Sequence, residues 1–196
     1  MIEQCTLYEL TEGTLAVCQP FSCGNADLGD FFLNDATRYS HFLMGKTYCF
    51  RLNNDLSKIV CAFTLSNDSI RIYDLSCSRR DHMKSLTHHE KPLRRYPDVL
   101  IGRIGVCSEF TGQGIGSEVL DFIKGWFFFS SNKTGCRFII VDAVNDKRVL
   151  SFYIRNDFQP LFTTEEIEFS YLMGNKDIPV QLDTRLMYFD LLKLRQ

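Results

Sequence analysis

The sequence predicts an α/β (α+β) domain built on one central mixed β-sheet flanked by helices. Three observations carry this expectation. A helical segment precedes three strand-like runs separated by short polar turns. An apolar run then enters an amphipathic helix through a glycine-rich turn, Gly112-Gln113-Gly114-Ile115-Gly116. Beyond it, strand and helix patterns alternate to the end of the chain. The 196 residues contain no repeat, no low-complexity stretch and no Pro/Gly/Ser linker. One domain over 1–196 is therefore expected, with enough chain for a sizeable core.

Residues 25–40 read as a helix, because Leu28, Phe31, Phe32, Ala36 and Tyr39 fall on one face and Asn25 suits an N-cap. Strand-like runs follow at 47–52, 58–66 and 69–75. Asn53-Asn54-Asp55 and Asn67-Asp68 supply the turns between them. The segment 77–97 reads as polar and irregular. Residues 99–106 form a mostly apolar strand. The helix expected over 115–129 puts Val119, Ile123, Trp126 and Phe127 on one face. Residues 137–141 are β-branched and suit a buried strand. A helix over 146–156 carries Val149, Leu150 and Tyr153 at helical spacing, and short strands near 158–162 and 184–192 close the domain.

Composition narrows the classes of function. The apolar fraction is 45 %, with 17 Phe and 8 Tyr, so core volume is ample. A formal net charge of -2 gives no global drive toward nucleic acid or a membrane, so attraction for an acidic partner must be local. Met1-Ile2-Glu3-Gln4-Cys5 has neither a basic nor an apolar signal region, and no apolar run approaches the roughly 20 residues of a membrane helix. A cytoplasmic protein is expected. Eight cysteines show no C-x-x-C spacing and no Cys/His cluster, so no metal is expected. Cys49, Cys61 and Cys107 lie in apolar runs and read as small, reduced core residues.

The glycine turn brings chemistry. Glycine permits positive φ and close approach of a ligand to the backbone. The first N–H groups of the following helix lack internal partners, and the helix dipole adds partial positive charge. Such a turn suits a pyrophosphate. It is not a P-loop, because no Lys-Ser/Thr follows, and not a dinucleotide fingerprint, because a meander precedes it. By itself the turn leaves two readings open, an anion site and a tight turn with no ligand.

Downstream residues separate them. Thr111-Gly112-Gln113-Gly114-Ile115-Gly116 resembles the acetyl-coenzyme A motif Q/R-x-x-G-x-G/A of the GCN5-related N-acetyltransferase superfamily (GNAT). The segment from Asn145 through Phe152 and Tyr153 to Asp157-Phe158 resembles that family's second signature, a helix with a late Tyr closed by Gly-Phe. Phe21-Ser22-Cys23-Gly24, Phe63-Thr64-Leu65-Ser66 and Arg95-Tyr96-Pro97 leading into residues 100–106 resemble the acetyltransferase toxins of bacterial toxin–antitoxin pairs. The likeness covers roughly 20–192. It departs at Thr111, where the family has Gln or Arg; at Cys107, where the toxins usually have Asp; and at Asp157, where Gly is usual. Asp tolerates the left-handed conformation at some cost. The toxins also tend to be basic, whereas this chain is slightly acidic.

The resemblance implies an acetyl-CoA-dependent N-acetyltransferase, with acetyl-CoA as co-substrate and a primary amine as acceptor. In the toxins that amine is the α-amine of aminoacyl-tRNA. It implies pyrophosphate binding by Thr111, Gly112, Gln113, Gly114, Ile115 and Gly116, and pantetheine pairing along Ile104, Gly105 and Val106. Asn145 and Phe152 join the cofactor set through the second signature, and Tyr153 is the implied general acid. A phenol with an ordinary pKa of about 10 is protonated at neutral pH, as an acid must be. No general base is identifiable among Glu109, His82, His88 and His89. An α-amine titrating near 8 needs none. Arg79, Arg80, Lys84, Lys91, Arg94 and Arg95 make 77–97 locally basic and a candidate for substrate contact. The likeness further implies a small antitoxin partner and a homodimer. Two other functions stay open: acetylation of a protein N-terminus, polyamine or small-molecule amine, and a non-catalytic acetyl-CoA sensor.

Overall fold

The computed structural model describes residues 1–75, 77–85, 93–129, 134–173 and 181–195. In chain order the elements are β1 (Cys5–Glu9), α1 (Glu12–Ala16), α2 (Ala26–Asp30), a π-turn (Phe31–Asp35), α3 (Ala36–His41), β2 (Lys46–Leu52), β3 (Asp55–Arg71), α4 (Cys77–Ser85) and β4 (Arg95–Val106). They continue with α5 (Ile115–Phe128), β5 (Phe138–Val144), α6 (Lys147–Arg155), β6 (Gln159–Pro160), α7 (Glu165–Met173) and β7 (Thr184–Asp190). The strands form a mixed seven-stranded sheet in the order β1-β2-β3-β4-β5-β7-β6. The chain divides into two compact units. One holds Met1–Ser66 with Ile101–Trp126, and the other holds Asn67–Leu100 with Phe127–Gln196.

In the first unit, β1 and β3 flank β2 in antiparallel register. Period-two alternation sends the two faces of this ladder to different helices. Cys49 and Ala62 join Leu10, Phe21, Phe31, Phe32, Ala36 and Ile59 in a core under α2 and α3. From the opposite face, Phe50 meets Phe122 of α5 edge-on at 5.0 Å and Tyr48 meets Trp126 at 4.9 Å. The expected Asn25 cap is present: its Oδ1 accepts from the Leu28 N–H at 3.1 Å. The helix after it is interrupted by the π-turn, in which the Ala36 N–H reaches back to the Phe31 carbonyl.

The second unit has its own core. Ile70, Ile72, Leu75, Met83, Tyr96, Phe138, Ile140, Leu161, Phe162 and Tyr188 cluster there. β5 and β6 both pair antiparallel with β7. Helix α7 is tied down by Glu168, which is fully buried and accepts from Arg185 Nε at 2.6 Å and from the Leu186 N–H.

Three expectations about elements need correction. Asn67-Asp68 is not a turn, because β3 continues through it to Arg71. Both side chains face solvent there, and Ile70 beyond them is buried, so the strand gains by continuing. The segment 77–97 is not irregular throughout: 77–85 is helical, anchored by the buried Met83, and β4 starts at Arg95 because Tyr96 is buried. Cys107 lies just past β4 and is half-buried, unlike Cys49 and Cys61, which are core residues. β1, α1 and α7 were not anticipated.

Candidate active site

The glycine turn is built by local backbone geometry. The chain leaves β4 through a short 3-10 turn (Ser108–Phe110), in which Thr111 Oγ1 donates to the Cys107 carbonyl at 3.4 Å. Gly112 and Gly114 then take φ of 80° and 79°, a region closed to most side chains. The Gly114 carbonyl accepts from Ser117 at 3.0 Å and Glu118 at 3.2 Å, which starts α5. Ile115 is buried at the head of the helix and holds it against the core. Among the described residues, the N–H groups of Gly112, Gln113, Gly114, Ile115 and Gly116 donate to no protein acceptor. A Cβ built on Gly112 or Gly114 would meet nothing within 4 Å, so no other part of the protein crowds these two positions. Unpaired donors at a helix N-terminus fit a pyrophosphate.

The second half of the strand before the turn, Ile101–Val106, belongs to the same unit. Gly105 is buried, with Ile104 and Val106 half-buried beside it. A Cβ on Gly105 would sit 3.2 Å from Cys23 Sγ and 3.3 Å from a ring carbon of Phe32, so glycine lets the first helical segment close onto β4. Lys58 and Glu109 pair at 3.0 Å on the surface nearby.

Tyr153 belongs to the second unit, and α6 positions it. Asp146 caps the helix by accepting from Arg148 at 2.8 Å and Val149 at 3.3 Å. The other end is a Schellman closure: Phe158 N–H donates to the Tyr153 carbonyl and Asp157 N–H to the Ile154 carbonyl, both at 3.0 Å. Asp157 takes φ of 66°, the left-handed conformation expected of it. The Tyr153 ring is clamped edge-on by Phe152 at 5.1 Å and Phe158 at 5.5 Å. Only 7 % of the residue is exposed, and burial pushes its phenol up to about 12. Its hydroxyl has no hydrogen-bond partner among the described residues.

The remaining expected residues are placed as follows. Asn145 spends its amide on Glu165 Oε2 at 3.1 Å and the Leu182 carbonyl at 2.8 Å. Arg79 turns inward, donating to Pro160 at 2.9 Å and Tyr188 at 3.3 Å. Arg80 contacts Cys77 Sγ at 3.0 Å, and Arg95 donates to Ser69 at 3.1 Å. Lys84 and Arg94 are exposed. His82 lies exposed on α4, while His88, His89 and Lys91 fall outside the described residues. Two features escaped notice in the sequence. Arg103 is the lone charge in the apolar run 99–106, and Asp98 is a carboxyl only 5 % exposed whose oxygens make no close hydrogen bond among the described residues, with only a weak contribution from the Ile70 N–H.

No protein-family model and no curated protein matches the sequence. Solved structures do. One is AtaT complexed with acetyl-methionyl-tRNAfMet, 18 % identical over 97 % of each chain with a TM-score of 0.70. Another is a tyrosine-to-phenylalanine mutant of KacT, 17 % identical over 98 % of each chain, TM-score 0.71. A third is a similar mutant of the AtaT toxin bound to the C-terminus of the antitoxin AtaR and acetyl-CoA, 16 % identical over 98 % of each chain, TM-score 0.64. This chain has the fold of the GNAT acetyltransferase toxins. At such identity the likeness concerns the fold.

Proposed function

We propose that this protein is an acetyl-CoA-dependent N-acetyltransferase whose leading acceptor is the α-amine of an aminoacyl-tRNA. The observation that carries the reading is the row of free amides at Gly112–Gly116 on the head of α5. In it the five N–H groups hold the pyrophosphate of acetyl-CoA, and the end of β4 at Ile104, Gly105 and Val106 receives the pantetheine arm. A backbone N–H of that segment stabilises the developing oxyanion. The neutral amine forms a bond to the acetyl carbon, the C–S bond breaks, and the Tyr153 O–H delivers its proton to the leaving thiolate. The phenol regains a proton when the acylated amine loses its own. Burial suits Tyr153 to this role, because a group held near 12 keeps its proton at every working pH.

The free backbone donors also answer the Thr111 departure: the cradle is made of amides, which do not depend on a Gln or Arg side chain. In this reading Asn145 fixes the start of α6 and Phe152 clamps Tyr153. The fold shared with a tRNA-bound and an antitoxin-bound toxin supports an intracellular enzyme silenced by a small antitoxin. A homodimer accompanies that proposal. Among the described residues no helix is long and apolar enough to cross a membrane.

The test follows labelled acetyl-CoA into charged tRNA, uncharged tRNA, peptides and small amines. Label on charged tRNA alone supports the reading. Label only on peptides or small amines keeps the acetyltransferase and discards the tRNA. Bound acetyl-CoA with no transfer anywhere leaves the sensor.

A further inference from the structure

We propose that Arg103 is a phosphate-docking residue for the acceptor, held ready on the ring of Phe31. The inference rests on the acetyltransferase reading above and narrows its acceptor to an amine that carries a phosphate close to the reacting nitrogen.

The first observation is how Arg103 is held. Its guanidinium carbon lies 3.8 Å from the centroid of the Phe31 ring. Phe31 is 6 % exposed and fixed by edge contacts to Phe32 at 5.6 Å and Tyr39 at 5.9 Å. A cation on an aromatic face is attracted to the ring and has its planar fork oriented, while its N–H edges stay free.

The second observation is what Arg103 lacks. The other sheltered arginines spend their donors inside the protein: Arg51 on the Leu56 carbonyl, Arg79 on Pro160 and Tyr188, Arg80 on Cys77, Arg137 on Asp190, and Arg185 on Glu165 and Glu168. Among the described residues Arg103 makes no hydrogen bond and no ion pair. The nearby helical segment offers Asp27, Asp30 and Asp35, and none of them pairs with it. A half-buried guanidinium with no acid partner is suited to an anion from outside, and its fork matches phosphate geometry.

The third observation is position. Phe31 opens the π-turn, a backbone irregularity that is frequent at functional sites. Arg103 and Gly105 alternate onto the same face of β4, the face closed by Cys23 and Phe32. Two residues of strand span roughly 7 Å. Arg103 therefore stands one pleat from the strand segment assigned to the pantetheine arm and the oxyanion. A phosphate at that distance belongs to the acceptor, as in the terminal nucleotide of a charged tRNA. The alternative source of the same chemistry is a phosphate of the coenzyme.

The experiment compares wild type with Arg103→Gln, Arg103→Lys and Phe31→Leu. Melting temperature checks folding, titration gives acetyl-CoA affinity, and steady-state transfer to charged tRNA is measured at several salt concentrations. The expected result is at least a tenfold rise in KM for charged tRNA in Arg103→Gln, with acetyl-CoA affinity within twofold. The slope of log KM against log salt should shrink by about 0.7, the loss of one phosphate contact on a single strand. Arg103→Lys should recover part of the KM. Phe31→Leu, which keeps the charge and removes the ring, should fall between. Weakened acetyl-CoA binding in Arg103→Gln would assign the phosphate to the coenzyme and overturn the proposal. An unchanged KM and salt slope with active tRNA acetylation would sink Arg103 alone. A wild-type enzyme that labels only small amines would instead remove the tRNA reading, and this assignment with it.

Discussion

Tyr153 concentrates the chemistry at the residue scale. Tyr153→Phe removes one hydroxyl and keeps the ring between Phe152 and Phe158. The expected outcome is a fall in kcat of about 100-fold or more with acetyl-CoA affinity retained; full turnover would refute the role. Because burial raises the Tyr153 phenol to about 12, no alkaline loss of rate should come from it below pH 10. The acid limb should instead follow the acceptor amine, near 8 for an α-amine. Asp98 is the other telling residue. Burial first, and the Asp68 carboxylate second, raise its carboxyl to about 7. The raised value means that the fold favours the protonated form. The stabilisation is complete below the unfolded value near 4 and disappears as pH rises through 7. Denaturation midpoints should therefore fall between pH 4 and pH 8, and Asp98→Asn should flatten that slope. An identical slope in the variant would show that other groups carry it. Asp98 was not legible in the sequence, where Pro97-Asp98 reads as a polar approach to an apolar strand; burial of a neighbouring position such as Tyr96 is a tertiary fact.

At the scale of elements, α6 was the most legible. Its amphipathic spacing, its start near Asp146 and the left-handed Asp157 all follow from local rules, because capping and Schellman closure involve residues a few positions apart. Asp157→Gly should raise stability by about 0.5–1 kcal/mol, seen as a higher denaturant midpoint at unchanged slope. A lower midpoint would mean that the Asp side chain contributes more than its backbone costs. Helix α7 was illegible for the opposite reason. Its anchor is Glu168, three acidic residues into a stretch with no apolar stripe, and the partner Arg185 lies 17 residues away. Glu168→Ala should cost about 3 kcal/mol, since it strands a sheltered guanidinium that retains only Glu165 and the Phe162 carbonyl. Circular dichroism with urea titration would measure it, and a cost below 1 kcal/mol would contradict the anchoring role. The polar run 77–85 reads as irregular in the sequence because one buried methionine, Met83, suffices to dock a helix that has no clear periodicity.

For the whole molecule, the charge balance and the proposed acceptor pull in different directions. A net charge of -2 does not attract RNA, so binding must come from local groups. Tyr-dependent transfer to charged tRNA should fall steeply between low and physiological salt, while transfer to a small amine should barely change. Equal salt dependence for both would argue against phosphate contacts. The sequence alone determined the α/β class, the glycine turn between β4 and α5, and the capped helix that carries Tyr153. Each depends on φ preferences, periodicity or capping within a few residues. Only the tertiary structure decided that β3 runs through Asn67-Asp68, that Arg79 and Asn145 are spent on internal hydrogen bonds, and that Arg103 rests unpaired on Phe31. Those outcomes depend on partners 20 to 109 residues away, a separation over which composition and spacing carry no signal.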